Sequence, residues 1–193
     1  MIRASTSPTR VRFTRDDYHR MVRAGILPPQ PRVELLDGEI IRMSPIDPPH
    51  GSTVDRLNDL ITPKLKGRAV ARIQGALALS RDSEPEPDFM LLKPRADFYS
   101  TAHPRPEDVL LLIEVSESSI DYDLGSKLRA YARAGIVEFW VFDLNRGVLI
   151  MHRSPEGDAY ADVQTFDRSA IVNPPALPDI AFGVGSVLPE TRG

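Results

Sequence analysis

Apolar and polar positions along the chain divide it into short strand-like and helix-like segments. In "RVELLDGEIIRM" two strand-like runs are joined by Asp37-Gly38, a pair that favours positive φ and so predicts a tight two-residue hairpin. Before it, Thr14 followed by Asp17 has the form of a capping box and Gly25 is a natural stop, which predicts a helix over 15–24. After it, Asp47 can cap a second helix with Pro48 in its first turn. His50, Val54, Leu57 and Ile61 then fall on one side at helical spacing, and Pro63 should end or kink the helix.

Three strands are expected next: "AVARIQGALALS", which alternates only in part, "PDFMLLK", and "DVLLLIEVS", apolar enough to lie in a sheet covered on both faces. Between the last two, "PRADFYSTAHPRPED" reads as a long exposed loop. Asp121 to Ala134 is predicted as a helix ended by Gly135. "IVEFWVFDL" is the next strand, and "VLIMHR", after Asn145-Arg146-Gly147, is its hairpin partner. The tail from 154, rich in proline and glycine, has room for one or two edge strands. Neither a repeat nor a linker divides the 193 residues, so one domain over 1–193 is expected, with the arm 1–12 and the tail 189–193 flexible.

Composition narrows the class. An apolar content of 41% is globular rather than disordered. No run approaches the roughly 18 apolar residues of a membrane span, and "MIRASTSPTRVRF" lacks the apolar core of a signal peptide, so a cytoplasmic protein without a membrane partner is expected. With no cysteine there is neither a disulfide framework nor a thiolate zinc site, and a hard cation suits the remaining ligands best. The net charge of −3 is uneven: residues 1–32 hold seven arginines against Asp16 and Asp17, a net +5 that leaves −8 for the remainder. That basic segment is either a solvated arm or one that contacts phosphates.

The candidate chemistry starts from Glu114, which ends four consecutive aliphatic residues, Leu110 to Ile113. Side chains alternate along a strand, so Leu110, Leu112, Glu114 and Ser116 share a face, as do Asp88, Met90 and Leu92 on the preceding strand. Two acids gathered inside a sheet push each other toward protonation unless a cation sits between them, and magnesium accepts both as ligands. The plainer alternative is that Asp88, after Pro87, caps a turn and that Glu114 makes a structural ion pair. Leu124, Lys127, Leu128 and Tyr131 form one stripe of the predicted helix, which directs Lys127 toward the sheet unless it snorkels out at the stripe's edge. Two metal-holding acids beside a lysine suit phosphodiester hydrolysis, in which the lysine orients or deprotonates the attacking water or stabilises the transition state. Glycoside hydrolysis also uses paired carboxylates but gives the lysine no role.

Pro87-Asp88 followed by Glu114-Val115-Ser116 resembles the PD-(D/E)XK motif of the restriction-endonuclease-like nucleases, with Ser116 standing where that motif has lysine. Beyond the motif, "RVELLDGEIIRMSP", "PDFMLLKPRADFY", "HPRPEDVLLLIEVSESS" and "YDLGSKLRAYARAGIVEFWVFDL" are similar to the bacterial Uma-two family, over roughly residues 12–188. The resemblance implies an α/β fold with a mixed sheet: a restriction-endonuclease-like αβββαβ core with an added N-terminal β-hairpin and helix and C-terminal edge strands. It implies Asp88 and Glu114 as metal ligands with the backbone carbonyl of Val115 nearby, and a catalytic lysine moved from the strand to the helix, at Lys127. Glu34 would be a further acidic member of the site or a hairpin salt bridge, His50 an inward member of it or a core histidine, and Tyr131 a packing residue.

The expected activity is a Mg2+-dependent DNA endonuclease, with Mn2+ as the alternative ion and no small-molecule cofactor. It would act as a homodimer whose arm and 94–108 loop contact the DNA backbone. The rivals are a catalytically silent module of the same fold and an RNA nuclease.

Overall fold

The computed structural model describes residues 10–27 and 32–190, so the arm up to residue 9 and the last three residues of the tail lie outside it. Helix α1 (Arg15–Arg23) starts at Thr14 with both hydrogen bonds of the capping box to Asp17. Strands β1 (Val33–Leu36) and β2 (Glu39–Arg42) pair with Leu36 opposite Glu39, and Asp37 and Gly38 take φ of 49° and 77°, as a tight hairpin turn requires. Helix α2 (Pro48–Leu65) is capped by Asp47, which accepts from the His50 N–H, and buries Val54, Leu57, Ile61 and Leu65. Pro63 does not end it. Proline in the last turn forfeits a single intrahelical hydrogen bond, and the helix runs on until Lys66 turns left-handed at φ 48°.

Six strands form one sheet in the order β3-β4-β5-β6-β7-β8: Val70–Ile73, Phe89–Leu92, Val109–Ser116, Glu138–Asp143, Val148–Glu156 and Ala159–Phe166. Neighbours are antiparallel except β5 and β6, which run parallel and need a crossover. The crossover is α3 (Ile120–Tyr122), a π-helical turn (Asp123–Lys127) and α4 (Leu128–Arg133), where a continuous α-helix is expected from the sequence. One face of the sheet, with Phe89, Leu91, Leu111, Ile113 and Trp140, packs on Leu57 and Ile61 of α2. The other, with Met90, Leu92, Leu112, Phe139 and Val141, packs on Ala130 and Tyr131 of α4. Both faces are covered, which is why β4 and β5 are apolar without alternation.

Three further expectations change. Strand β3 stops at Ile73, and the apolar residues beyond it bury themselves in an irregular segment: Leu77 is fully buried, its N–H bonded to the Pro85 carbonyl, while Glu84 bridges to Leu35 of the hairpin. The 94–108 loop is anchored rather than wholly exposed, because Tyr99 is buried and donates its hydroxyl to the Lys93 carbonyl. The C-terminal part is richer than one or two edge strands. Strand β7 runs through Pro155, β8 is a full eight-residue edge strand, and β9 (Ile171–Val172), β10 (Phe182–Gly183) and α5 (Val184–Val187) follow. Pro155 and Gly157 flank the β7–β8 turn, where proline removes little pairing and Gly157 supplies a φ of 58°.

Candidate active site

Glu114 lies on the face of β5 that also presents Leu112, and that face meets the 120–133 helix. Lys127, the last residue of the π turn, reaches it: Nζ is 3.0 Å from Glu114 Oε1, 3.4 Å from Glu34 Oε1 and 3.9 Å from Asp123 Oδ1. The Tyr131 hydroxyl donates to Glu114 Oε1 at 2.6 Å, and the Tyr122 hydroxyl donates to Glu34 Oε1 at 2.8 Å. Glu34 also accepts the Glu86 N–H through Oε2 at 2.9 Å. The side chains of Lys127, Glu34 and Glu114 are 1%, 0% and 2% exposed, so their charges are set by one another rather than by water. Lys127 is therefore not a lysine snorkelling out at an edge.

Burial works against every ion in this cluster. It drives Lys127 downward, but the charges of Glu114, Glu34, Asp123 and Asp88 outweigh it, hold the lysine well above its ordinary value and keep it an ammonium. On Glu114 burial pushes the carboxyl up, while the Lys127 ammonium and the Tyr131 hydrogen bond favour the carboxylate, and the 3.0 Å contact with Lys127 is the ion pair that answers the cost of burial. Asp123 is raised by burial too, against Lys127 and two serine hydroxyls. Those serines are Ser116 and Ser119, each donating to Asp123 Oδ2 at 2.6 Å. Ser116 thus braces the turn that delivers Lys127.

Asp88 immediately precedes β4, with its side chain 14% exposed. Its Oδ2 lies 3.0 Å from His50 Nε2 and accepts the Val115 N–H at 2.9 Å, while its own N–H points at Glu114 Oε2 at 3.4 Å. Burial would raise Asp88, but the His50 contact and the Lys127 charge bring it below its ordinary value. Burial likewise opposes a charged His50, and Asp88 overcomes it and raises the imidazole. Asp88, Glu114, Lys127 and His50 all line one cleft of about 310 Å³, together with Asp123, Ser118, Arg32 and Arg42. Glu34 is not among the lining residues; it lies behind Lys127.

All the acids and bases expected at the site are thus brought together. Three further residues belong to the same cluster. Tyr131 packs, as expected, but its hydroxyl also holds Glu114, a role its place one turn beyond Lys127 could have signalled. Asp123 stands at i−4 from Lys127, the spacing of a helical ion pair. Tyr122 carries no signal in sequence, because the π turn changes its phase relative to Lys127.

A covered mixed sheet, crossed over by a helix that aims a lysine at strand-end carboxylates, is a nuclease-like fold. The family model described as "Putative restriction endonuclease" (Uma2) matches residues 15–185, and the chain belongs to that family, which supports a nuclease that hydrolyses phosphodiester bonds. Among solved structures the fold is similar to that of "a putative nuclease belonging to DUF820" from Anabaena variabilis ATCC 29413, with a TM-score of 0.73 over 91% of this chain and 97% of that one at 17% identity. Among curated proteins none matches the chain. Within the described residues no helix is long and apolar enough to cross a membrane.

Proposed function

We propose that the protein is a divalent-metal-dependent endonuclease acting on DNA, with Asp88 and Glu114 as metal ligands and Lys127 as the charged group beside them. The observation that carries this reading is the convergence of Asp88 and Glu114 on one cleft with Lys127 hydrogen-bonded to Glu114. The donor set fits a hard cation. Glu114 gives Oε1 to Lys127 and Tyr131, while Oε2 faces Asp88; Asp88 gives Oδ2 to His50 and Val115, and both carboxylates line the cleft. Oxygen ligands of this kind suit magnesium or manganese. Bound there, the ion would offset charge developing on the phosphate and lower the pKa of a water.

The remaining roles fall to the chain itself. Lys127, with Glu114, Glu34 and Asp123 within 3.9 Å of its Nζ, supplies a positive charge beside the phosphate. Glu34, Asp123 and Tyr131 are positioning residues: they fix the ammonium and orient Glu114. His50 and the Val115 N–H do the same for Asp88, with the Val115 carbonyl as a further ligand. Arg42 and Arg32, the latter paired with Glu86 at 2.7 Å, line the cleft wall and are candidates for phosphate contacts that position a duplex without reading its sequence, whereas the 94–108 loop joins β4 and β5 at the end opposite Asp88 and Glu114 and does not line the cleft. A homodimer would bring two such clefts to the two strands.

Calorimetric titration with magnesium and manganese tests the ligand assignment. Wild type is expected to bind either ion, and Asp88→Asn and Glu114→Gln to lose that binding. Binding that survives in both variants would refute the assignment.

A further inference from the structure

A second group of ligating side chains lies apart from the cleft. His19 on α1, Glu84 in the irregular segment between β3 and β4, and His103 in the 94–108 loop each offer one ligand atom, and the three atoms lie within 4.8 Å of one another. His19 Nε2 is 2.9 Å from Glu84 Oε1. The Glu84 carboxylate is fixed from behind: it is 3% exposed, its Oε2 accepts Arg15 Nε at 2.8 Å, and its backbone N–H donates to the Leu35 carbonyl at 2.7 Å. The His19 and His103 rings lie parallel within 8°, with centroids 6.2 Å apart.

We propose that His19, Glu84 and His103 form a site for a divalent transition metal of the zinc class, separate from the site proposed for magnesium. Two imidazoles and one carboxylate are a donor set that borderline metals accept and that magnesium, which prefers oxygen, does not. Ligand atoms about 2.0–2.2 Å from one ion stand roughly 3–4 Å apart, so the three need close by only about an ångström to share one. Arg15 already acts as an outer partner, orienting the carboxylate through one oxygen and leaving the other to the metal. His103 is exposed, so the open side of the site faces solvent.

The three ligands come from stretches far apart in sequence, and the ion would staple α1 and the 94–108 loop to the segment that carries Asp88 four residues after Glu84. Such a site ties the support of the cleft to metal supply without entering the chemistry there.

Titration of the full chain with Co2+, followed by the visible d–d absorption of the bound ion, tests this. Wild type is expected to develop the band at one equivalent, and Zn2+ to displace it. His19→Ala and His103→Ala should each weaken cobalt binding by roughly tenfold or more, while Asp88→Asn leaves the band intact. His103 is exposed, so its variant folds whatever His19→Ala does, and circular dichroism verifies both. Absence of the band in wild type, an unchanged band in either histidine variant, or its loss in Asp88→Asn overturns the proposal.

Discussion

Lys127 is an ammonium 1% exposed to solvent, and it is retained because Glu114, Glu34 and Asp123 surround it. Removing one partner of a buried ion cluster leaves the others uncompensated, so Lys127→Met should cost about 3–5 kcal/mol of stability, read as a lower urea midpoint. Tyr131→Phe should cost roughly 1–2 kcal/mol and slow cleavage, since it strips a buried hydrogen bond from Glu114. A tyrosine that only packed would leave both measurements unmoved. At this scale the sequence is informative where a charge breaks an apolar pattern. Glu114 at the end of an aliphatic run and Lys127 inside a helical stripe both stand out, and the ion pair between them follows. Asp123 does not stand out, because nothing in a helical pattern separates an acid facing solvent from one hydrogen-bonded to Ser116 and Ser119.

The 120–133 helix is the element that assembles the site, and its π turn is the part the sequence hides. An extra residue in one turn leaves the apolar stripe nearly unchanged while shifting the phase of Tyr122 and Asp123 relative to Lys127. Gly125 sits within that turn; a Cβ built there meets nothing within 4 Å and its φ is not positive. Gly125→Ala should therefore stabilise the protein by about 0.5–1 kcal/mol, a rise of a few degrees in Tm, with cleavage unchanged. Loss of cleavage in that variant would mean that the turn must deform during the reaction. Other elements divide along the same line. The hairpin at Asp37-Gly38 and the capping box at Thr14 were legible because local chemistry decides them. The end of β3 was not, because Leu77 and Leu79 are buried by a core that draws Leu36, Met90 and Tyr131 from other elements while their N–H groups bond within 77–85, and Pro63 misleads because it falls where a helix has little left to lose.

Across the whole molecule, the order of elements and the mixed sheet follow from the pattern of runs, while the long edge strand β8 does not: it is mostly exposed with only Tyr160 buried, so it shows no apolar alternation, and Pro155 and Gly157 disguise the hairpin that leads to it. The cleft wall itself carries Asp47, Asp88, Glu114, Glu117 and Asp123 beside Arg32, Arg42 and Lys127, so approach of a polyanion to it calls for a cation to offset those carboxylates. The central claim is that Asp88, Glu114 and Lys127 act together on a phosphodiester bond. Nicking of supercoiled plasmid in the presence of manganese, with wild type beside Asp88→Asn and Lys127→Ala, tests it most directly. Wild type should convert the plasmid to open circles while both variants leave it supercoiled; equal nicking by all three proteins, or none by wild type, would contradict it.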